Sequence, residues 1–360
     1  MSSSIEQIRK TLAQVVDPVT GRDLAVGLRE RDVAADGAHT AVSVWLDYPA
    51  ADCAPALQTA AHAALAGAGL SAVRVTVGWR IAAHAVQHGL KPLPTVRNII
   101  AVASGKGGVG KSTTAANLAL ALSVQGARVG ILDADIYGPS VPTVLGIEGR
   151  PESKDNKTME PLTGHGIEAN SIGFLIDPES PAIWRGPMVT QALEHMLRQT
   201  NWGDLDYLIV DMPPGTGDIA LTLSQKAPVV GAIIVTTPQD LALADARKGL
   251  RMFQKVNVPV LGVIENMAVH VCSQCGHAEH IFGEGGGARM ATQYEVDSLG
   301  ELPLSMDIRV HADAGRPTVV ADPDGAAARA YHAIARRVAL KVAALPRDTA
   351  GLFPPIVVKP

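Results

Sequence analysis

One stretch limits the folds open to this chain more than any other: Ser104-Gly105-Lys106-Gly107-Gly108-Val109-Gly110-Lys111-Ser112-Thr113. It follows an apolar run that reads as a strand and opens a segment that reads as a helix. Gly105 and Gly110 with Lys111 and Ser112 meet the P-loop spacing in the strand–loop–helix setting that gives this spacing its meaning. Glycines let backbone N–H groups converge on phosphates, and the helix N-terminus adds a favourable dipole. Gly105, Lys106, Gly107, Gly108, Val109, Gly110, Lys111, Ser112 and Thr113 are therefore expected to wrap the phosphates of ATP. Within that set Lys111 is assigned to the β- and γ-phosphates, and the Ser112 hydroxyl to Mg²⁺.

A P-loop of this kind sits on a buried parallel sheet, and the rest of the chain has the material for one. Hydrophobic residues make up 47% and aromatics only 4%, so the core must be built from Ala, Val, Ile and Leu. Apolar runs at Asn98–Ser104, Val129–Asp133, Tyr207–Asp211, Gly231–Thr236 and Pro259–Glu265 alternate with helical segments at Lys111–Gln125, Pro187–Gln199, Asp218–Lys226 and Asp240–Val256. That alternation predicts an α/β fold, a doubly wound and mostly parallel sheet with the functional loops at one edge. The 360 residues suit two domains. Ahead of the P-loop, Ile5, Ile8, Leu12 and Val15 recur at helical spacing, and Asp17-Pro18 breaks that helix. Val42, Val44 and Leu46, like Val73, Val75 and Val77, alternate as half-buried strands on either side of the Ala-rich helix 54–68. The expected division is a small α/β domain over 1–88, a linker over 89–97, the P-loop domain over 98–345 and a tail over 346–360. Ala326–Leu345 is expected to close the fold as a packed helix, its apolar stripe being Tyr331, Ile334, Val338 and Val342.

Composition also narrows partners and compartment. A net charge of −4 does not suggest a general nucleic-acid binder. No apolar run approaches the ~20 residues of a membrane span, and the N-terminus lacks a signal-peptide pattern. With only three cysteines there is no disulfide framework, so a reducing, cytoplasmic setting is expected, without membrane or nucleic-acid partners.

Carboxylates arrive where nucleotide chemistry needs them. Asp211 ends the apolar strand Leu208-Ile-Val-Asp, ahead of Pro213-Pro214-Gly215, which suits a Walker B residue holding Mg²⁺. Asp133 and Asp135 close another strand on opposite sides of an extended chain, so they are expected to have different tasks. Gly215, Gly217 and Asp218 form a hinge that could respond to the γ-phosphate.

Cys272-Ser-Gln-Cys275 is the second chemical feature. Two thiolates at this spacing can share one metal centre, but such sites usually have four ligands. A symmetric dimer would supply four thiolates, suited to a [4Fe–4S] cluster. His277 and His280 could complete a zinc site within one chain, or the pair could cycle as a dithiol.

Lys106, just after the first glycine, resembles the signature lysine of the deviant Walker A group that includes ParA, MinD and the nitrogenase iron protein. That resemblance implies that Lys106 crosses a dimer interface to the partner's nucleotide and that Asp135 orients the attacking water. It further implies that Asp133 supports the metal and switch region and that Asn266 and Pro303 contact the base. Together with Ile131-Leu-Asp-Ala-Asp-Ile-Tyr-Gly-Pro-Ser140, Ile183-Trp-Arg-Gly-Pro187, 206–218, Glu265-Asn-Met and Cys272-x-x-Cys275, these residues resemble the Mrp/ApbC iron–sulfur cluster carriers over about 96–345. The resemblance implies a slow ATP hydrolase that is a homodimer, binds a labile [4Fe–4S] cluster on Cys272 and Cys275, receives it from scaffold proteins and hands it to apo-proteins. The first domain resembles the MIP18-like module. Its Cys53 lies in Pro49-Ala-Ala-Asp-Cys53-Ala54 rather than a Pro-Gly-Cys-Pro turn, and it is given no cluster role. The competing expectation is a ParA/MinD-type positioning ATPase with a structural zinc site.

Overall fold

The computed structural model describes residues 5–36, 39–176 and 186–348, and they fall into two compact units, one over 1–81 with 124–126 and one over the remainder. The motif Ile183-Trp-Arg lies outside the described residues, as does the tail beyond 348.

The smaller unit is built from α1 (Ile5–Leu12), β1 (Val33–Asp36), β2 (His39–Leu46), α2 (Ala54–Gly67) and β3 (Val73–Trp79). Val42, Val44 and Leu46 of β2 and Val73, Val75 and Val77 of β3 are buried, which is the alternation of a sheet with one covered face. The two strands pair in parallel from Thr40↔Val73 to Leu46↔Trp79, and α2 makes the crossover between them. Leu57, Ala61 and Leu65, spaced a helical turn apart, form the buried face of α2. α1 stops at Leu12, and the Asp17 carboxylate then takes the Val19 N–H and the Thr20 hydroxyl, closing the turn at Asp17-Pro18.

The larger unit follows βα alternation: β4 (Val96–Ser104), α3 (Lys111–Val124), β5 (Val129–Asp133), α4 (Val141–Leu145), β6 (Leu162–Gly164), β7 (Ile167–Ser171), α5 (Gly186–Arg198), β8 (Leu205–Asp211), α6 (Asp218–Lys226), β9 (Gly231–Thr236), α7 (Asp240–Lys255) and β10 (Val260–Glu265). A short hairpin, β11 (His270–Val271) and β12 (Ala278–Glu279), precedes α8 (Gly286–Gln293), β13 (Ser298–Glu301), α9 (Met306–Asp313), α10 (Thr318–Ala321) and α11 (Ala326–Ala343). The eight-stranded sheet runs β13-β10-β9-β4-β8-β5-β7-β6, parallel throughout except for the β6–β7 pair. β4 lies at the point where strand order reverses, so its C-terminal loop opens at the crevice where α/β sheets bind ligands.

β5, β8 and β9 are buried at every position, which is why they read as continuous apolar runs. β4 begins at Val96, taking in Val96 and Arg97 from the segment read as linker. Three strands carried no apolar signal: β6 and β13 are edge strands with exposed positions, and β7 buries Asn170 and Ser171. Tyr331, Ile334, Val338 and Val342 of α11 are all buried, so its apolar stripe is a packing face. Among the described residues no helix is long and apolar enough to cross a membrane.

Candidate functional site

β4 carries the chain into the phosphate loop at Ser104, and α3 starts at Lys111. Close packing dictates two of the loop's glycines. A Cβ at Gly105 would lie 2.1 Å from the backbone carbon of Asp245 in α7, and one at Gly110 would lie 2.2 Å from Asn266 Nδ2. Gly110 also has φ +80°, a region open to glycine. Gly107 and Gly108 are exposed, leaving the loop backbone open to a ligand.

Lys111 gathers the site around one ammonium. It is 6% exposed, and its Nζ lies 2.6 Å from Asp211 Oδ1, 3.3 Å from Ser112 Oγ and 3.9 Å from Asp135 Oδ2. Asp211, at the end of β8, is fully buried, and its second oxygen, Oδ2, has no hydrogen-bond partner. A buried carboxylate oxygen left without a donor is costly, and a hard cation offsets that cost. With the Ser112 hydroxyl, which meets the same Lys111 ammonium, this oxygen-only donor set fits Mg²⁺.

The two aspartates of the Asp-Ala-Asp motif are used differently. Asp133 accepts from Asp135 N at 3.1 Å and from Ser140 N, Val141 N and Ser171 Oγ at 3.0 Å each. Both of its oxygens are committed to holding loop 134–141 and the start of α4. Burial pushes its carboxyl above the usual range and the charge of Asp211 adds to this, while those donors pull it back. Asp135 turns its carboxylate toward Lys111 and also takes the backbone N–H groups of Gly138 and Tyr137. Burial raises its pKa and the Lys111 charge opposes that. Gly215 N–H bonds Ser104 O at 2.9 Å, so the Pro213-Pro214-Gly215 turn lies against the base of the phosphate loop.

Asn266 follows β10, and its amide donates to Val109 O at 2.8 Å while its Oδ1 accepts from Met267 N at 2.9 Å. The residue expected to read the base thus braces the phosphate loop. Pro303 stands beside it, because Leu302 N bonds Glu265 O and Ala268 N bonds Leu302 O. Lys106 is half-buried, and among the described residues no carboxylate forms an ion pair with its ammonium.

Cys272 and Cys275 occupy the turn of the β11–β12 hairpin, with Cys272 N bonded to His277 O and Gly276 N to Cys272 O, both at 2.9 Å. Both thiols are free, Cys272 half-buried and Cys275 exposed. Backbone N–H groups of Cys275 and Gln274 point at the Cys272 sulfur and, with the neighbouring Cys275 thiol, hold its pKa below the ordinary thiol value. The turn therefore favours thiolate, the form that ligates soft metals. Among the described residues no group of three or more His, Cys, Asp or Glu assembles as a metal site. His280, one of the two histidines considered for a zinc site, turns its Nδ1 to Ala268 O at 2.8 Å and its Nε2 toward Glu284.

The NUBPL iron-transfer P-loop NTPase model, of the ParA group, matches residues 95–339, and an iron–sulfur cluster assembly protein model matches residues 5–77. This chain belongs to the iron-transfer P-loop NTPase family. It is 62% identical over 269 residues to the iron–sulfur cluster carrier protein of Pseudomonas fragi, covering 74% of this chain and 94% of that protein. It is 48% identical over 338 residues to the carrier protein of Haemophilus influenzae, covering 93% and 91%. Among solved structures it resembles a nucleotide-binding protein from Archaeoglobus fulgidus in complex with ADP, at 40% identity and TM-score 0.56, over 64% of this chain and 90% of that one.

For a member of the iron-transfer NTPases, one residue stands out that sequence reasoning passed over. Glu265, the last residue of β10, is 2% exposed, and its Oε2 accepts the N–H of Gly287 in the first turn of α8. Its signal was a carboxylate ending an otherwise apolar strand, the same pattern that picked out Asp133 and Asp211.

Proposed function

We propose that this chain is an ATP-dependent iron–sulfur cluster carrier that holds a labile [4Fe–4S] cluster between two copies of itself and passes it to apo-proteins. The observation that carries this reading is the hairpin: two free thiols, Cys272 half-buried in a turn whose N–H groups favour its thiolate and Cys275 exposed, which make half of a four-ligand set. A second copy related by a two-fold axis supplies the other half. Lys106, half-buried on the phosphate loop and without an ion-pair partner among the described residues, is suited to reach across the same axis. The 98–345 domain is the ATPase and 1–88 the MIP18-like module, joined through 89–97.

Ser112 and Asp211 would hold Mg²⁺, which when bound neutralises charge on the phosphates during phosphoryl transfer. Lys111 binds the β/γ-phosphate side from the first residue of α3, where the helix N-terminus also favours anions. Asp135, whose carboxylate faces Lys111, orients the attacking water. Turnover is expected to be slow, as in other P-loop enzymes that rely on positioning. Asp133 keeps loop 134–141 in place. The Pro213–Asp218 segment, tied through Gly215 to Ser104, carries the nucleotide state outward. The cluster is cargo, so an exposed hairpin that releases it suits the role better than a deep pocket.

The test is anaerobic reconstitution followed by transfer to an apo-enzyme that becomes active only on receiving a cluster. The parent chain is expected to activate it, and Cys272→Ala and Cys275→Ala to leave it inactive. Equal transfer by the parent and both variants would refute the carrier reading.

A further inference from the structure

We propose that Glu265 is the positioning residue that couples the nucleotide pocket to the cysteine hairpin, by seating the first turn of α8 on the strand end that carries Asn266. This rests on the carrier reading and adds the path by which nucleotide state reaches the thiols.

The position is an expensive place for a carboxylate. A side chain 2% exposed at the end of a buried parallel strand would be met at lower cost by Leu or Val. What the carboxylate provides is a charge-assisted hydrogen bond to an N–H in the first turn of α8, where the helix dipole also favours it. The chain is shaped to permit this contact. A Cβ at Gly287 would lie 2.9 Å from Glu265 Oε2 and 3.0 Å from its Cβ, so a larger residue there would unseat the carboxylate.

Glu265 touches both ends of the path. The next residue, Asn266, donates to Val109 O at 2.8 Å, and the tight approach to Gly110 leaves it little room to move independently of the phosphate loop. On the other side, the hairpin leaves the sheet after Asn266 and returns into the turn that opens α8. Its base is closed by His280 Nδ1 to Ala268 O at 2.8 Å and by Gly283 N to His280 O at 3.1 Å. The Glu265 carboxylate is thus the clasp between the strand end and the returning leg.

Coupling needs an element with two arrangements, and the carboxylate offers one. Oε2 is used and Oε1 is buried without a partner, while the N–H of Gly285 is also directed at the carboxylate. A small displacement of Asn266 lets the carboxylate exchange between these successive N–H groups. That exchange shifts the turn holding the returning leg of the hairpin.

The experiment measures maleimide labelling of Cys272 and Cys275 in the full-length chain by peptide mass spectrometry, with and without MgADP or a non-hydrolysable MgATP analogue. Cys53 serves as the internal reference. In the parent chain nucleotide is expected to change the labelling rate by about fivefold or more, the usual scale of intersite coupling. Glu265→Ala is expected to abolish that change while fluorescent-ADP affinity stays within about threefold of the parent. Gly287→Ala, which keeps the carboxylate but displaces it, should behave the same way and covers the case in which Glu265→Ala does not fold. Glu265→Gln retains an acceptor oxygen for the Gly287 N–H and should keep the nucleotide effect. The proposal is overturned if Glu265→Ala or Gly287→Ala keeps the full effect, or if Glu265→Gln loses it as completely as the alanine variant. It is overturned too if the parent shows no nucleotide effect, a result that leaves the carrier reading to stand or fall on cluster transfer.

Discussion

The phosphate loop and the cysteine hairpin are at opposite ends of a scale of completeness. Around Lys111 one chain supplies a buried cation, a buried carboxylate, a hydroxyl and glycines whose lack of a side chain is enforced by atoms about 2 Å away. At the hairpin one chain supplies two thiols, neither fully buried, with backbone N–H groups aimed at one of them. A catalytic pocket gains from such preorganisation, and a site that must give up its cargo gains from being half-built. Under the proposed carrier reading, nucleotide binding belongs to the monomer and cluster binding to the pair.

That contrast can be broken most forcefully at Lys111. Lys111→Ala leaves Asp211 buried without its cation, a loss of about 3–5 kcal/mol if the charge is kept. Denaturant titration should show that fall together with loss of nucleotide binding. Retention of both would mean the pocket is not organised around this pair. Next comes Asp133→Ala, which strips acceptors from the N–H groups of Ser140 and Val141 and the hydroxyl of Ser171. Its expected cost is about 2 kcal/mol or more, read in the unfolding midpoint.

These two residues also show what was legible in the sequence. The sheet, the phosphate loop and Asp211 could be read because buried parallel strands are unbroken apolar runs and the loop has fixed spacing. Strand alternation led to the expectation of separate tasks for Asp133 and Asp135, but β5 ends at Asp133 and Asp135 lies beyond it. The tie of Asp133 to Ser171 could not be read, because that partner lies 38 residues away on a strand with no apolar signature. Asn266 also braces Val109, a contact 157 residues apart that no local pattern encodes. Glu265 was legible as a carboxylate ending an apolar strand, but its task was not, because its partner is a backbone N–H that no side chain announces.

Smaller stability effects separate chemistry from scaffolding. Asp135→Asn keeps an acceptor oxygen for the Gly138 and Tyr137 N–H groups, so stability should fall by less than in Asp133→Ala while steady-state hydrolysis falls steeply. A matching loss of stability would assign Asp135 to the scaffold. Lys106→Ala should be the mildest in the monomer, with stability and nucleotide affinity unchanged. Its effect should appear only as slower hydrolysis at concentrations where the chain pairs. Normal hydrolysis there would remove the reach across the two-fold axis.

The central claim is that the cluster site needs two chains, and native mass spectrometry of the anaerobically reconstituted protein tests it most directly. The account predicts a dimer carrying one [4Fe–4S] cluster per pair of chains, with both Cys272→Ala and Cys275→Ala losing the cluster. A monomer that retains a full complement of metal on its own Cys272 and Cys275 would contradict it.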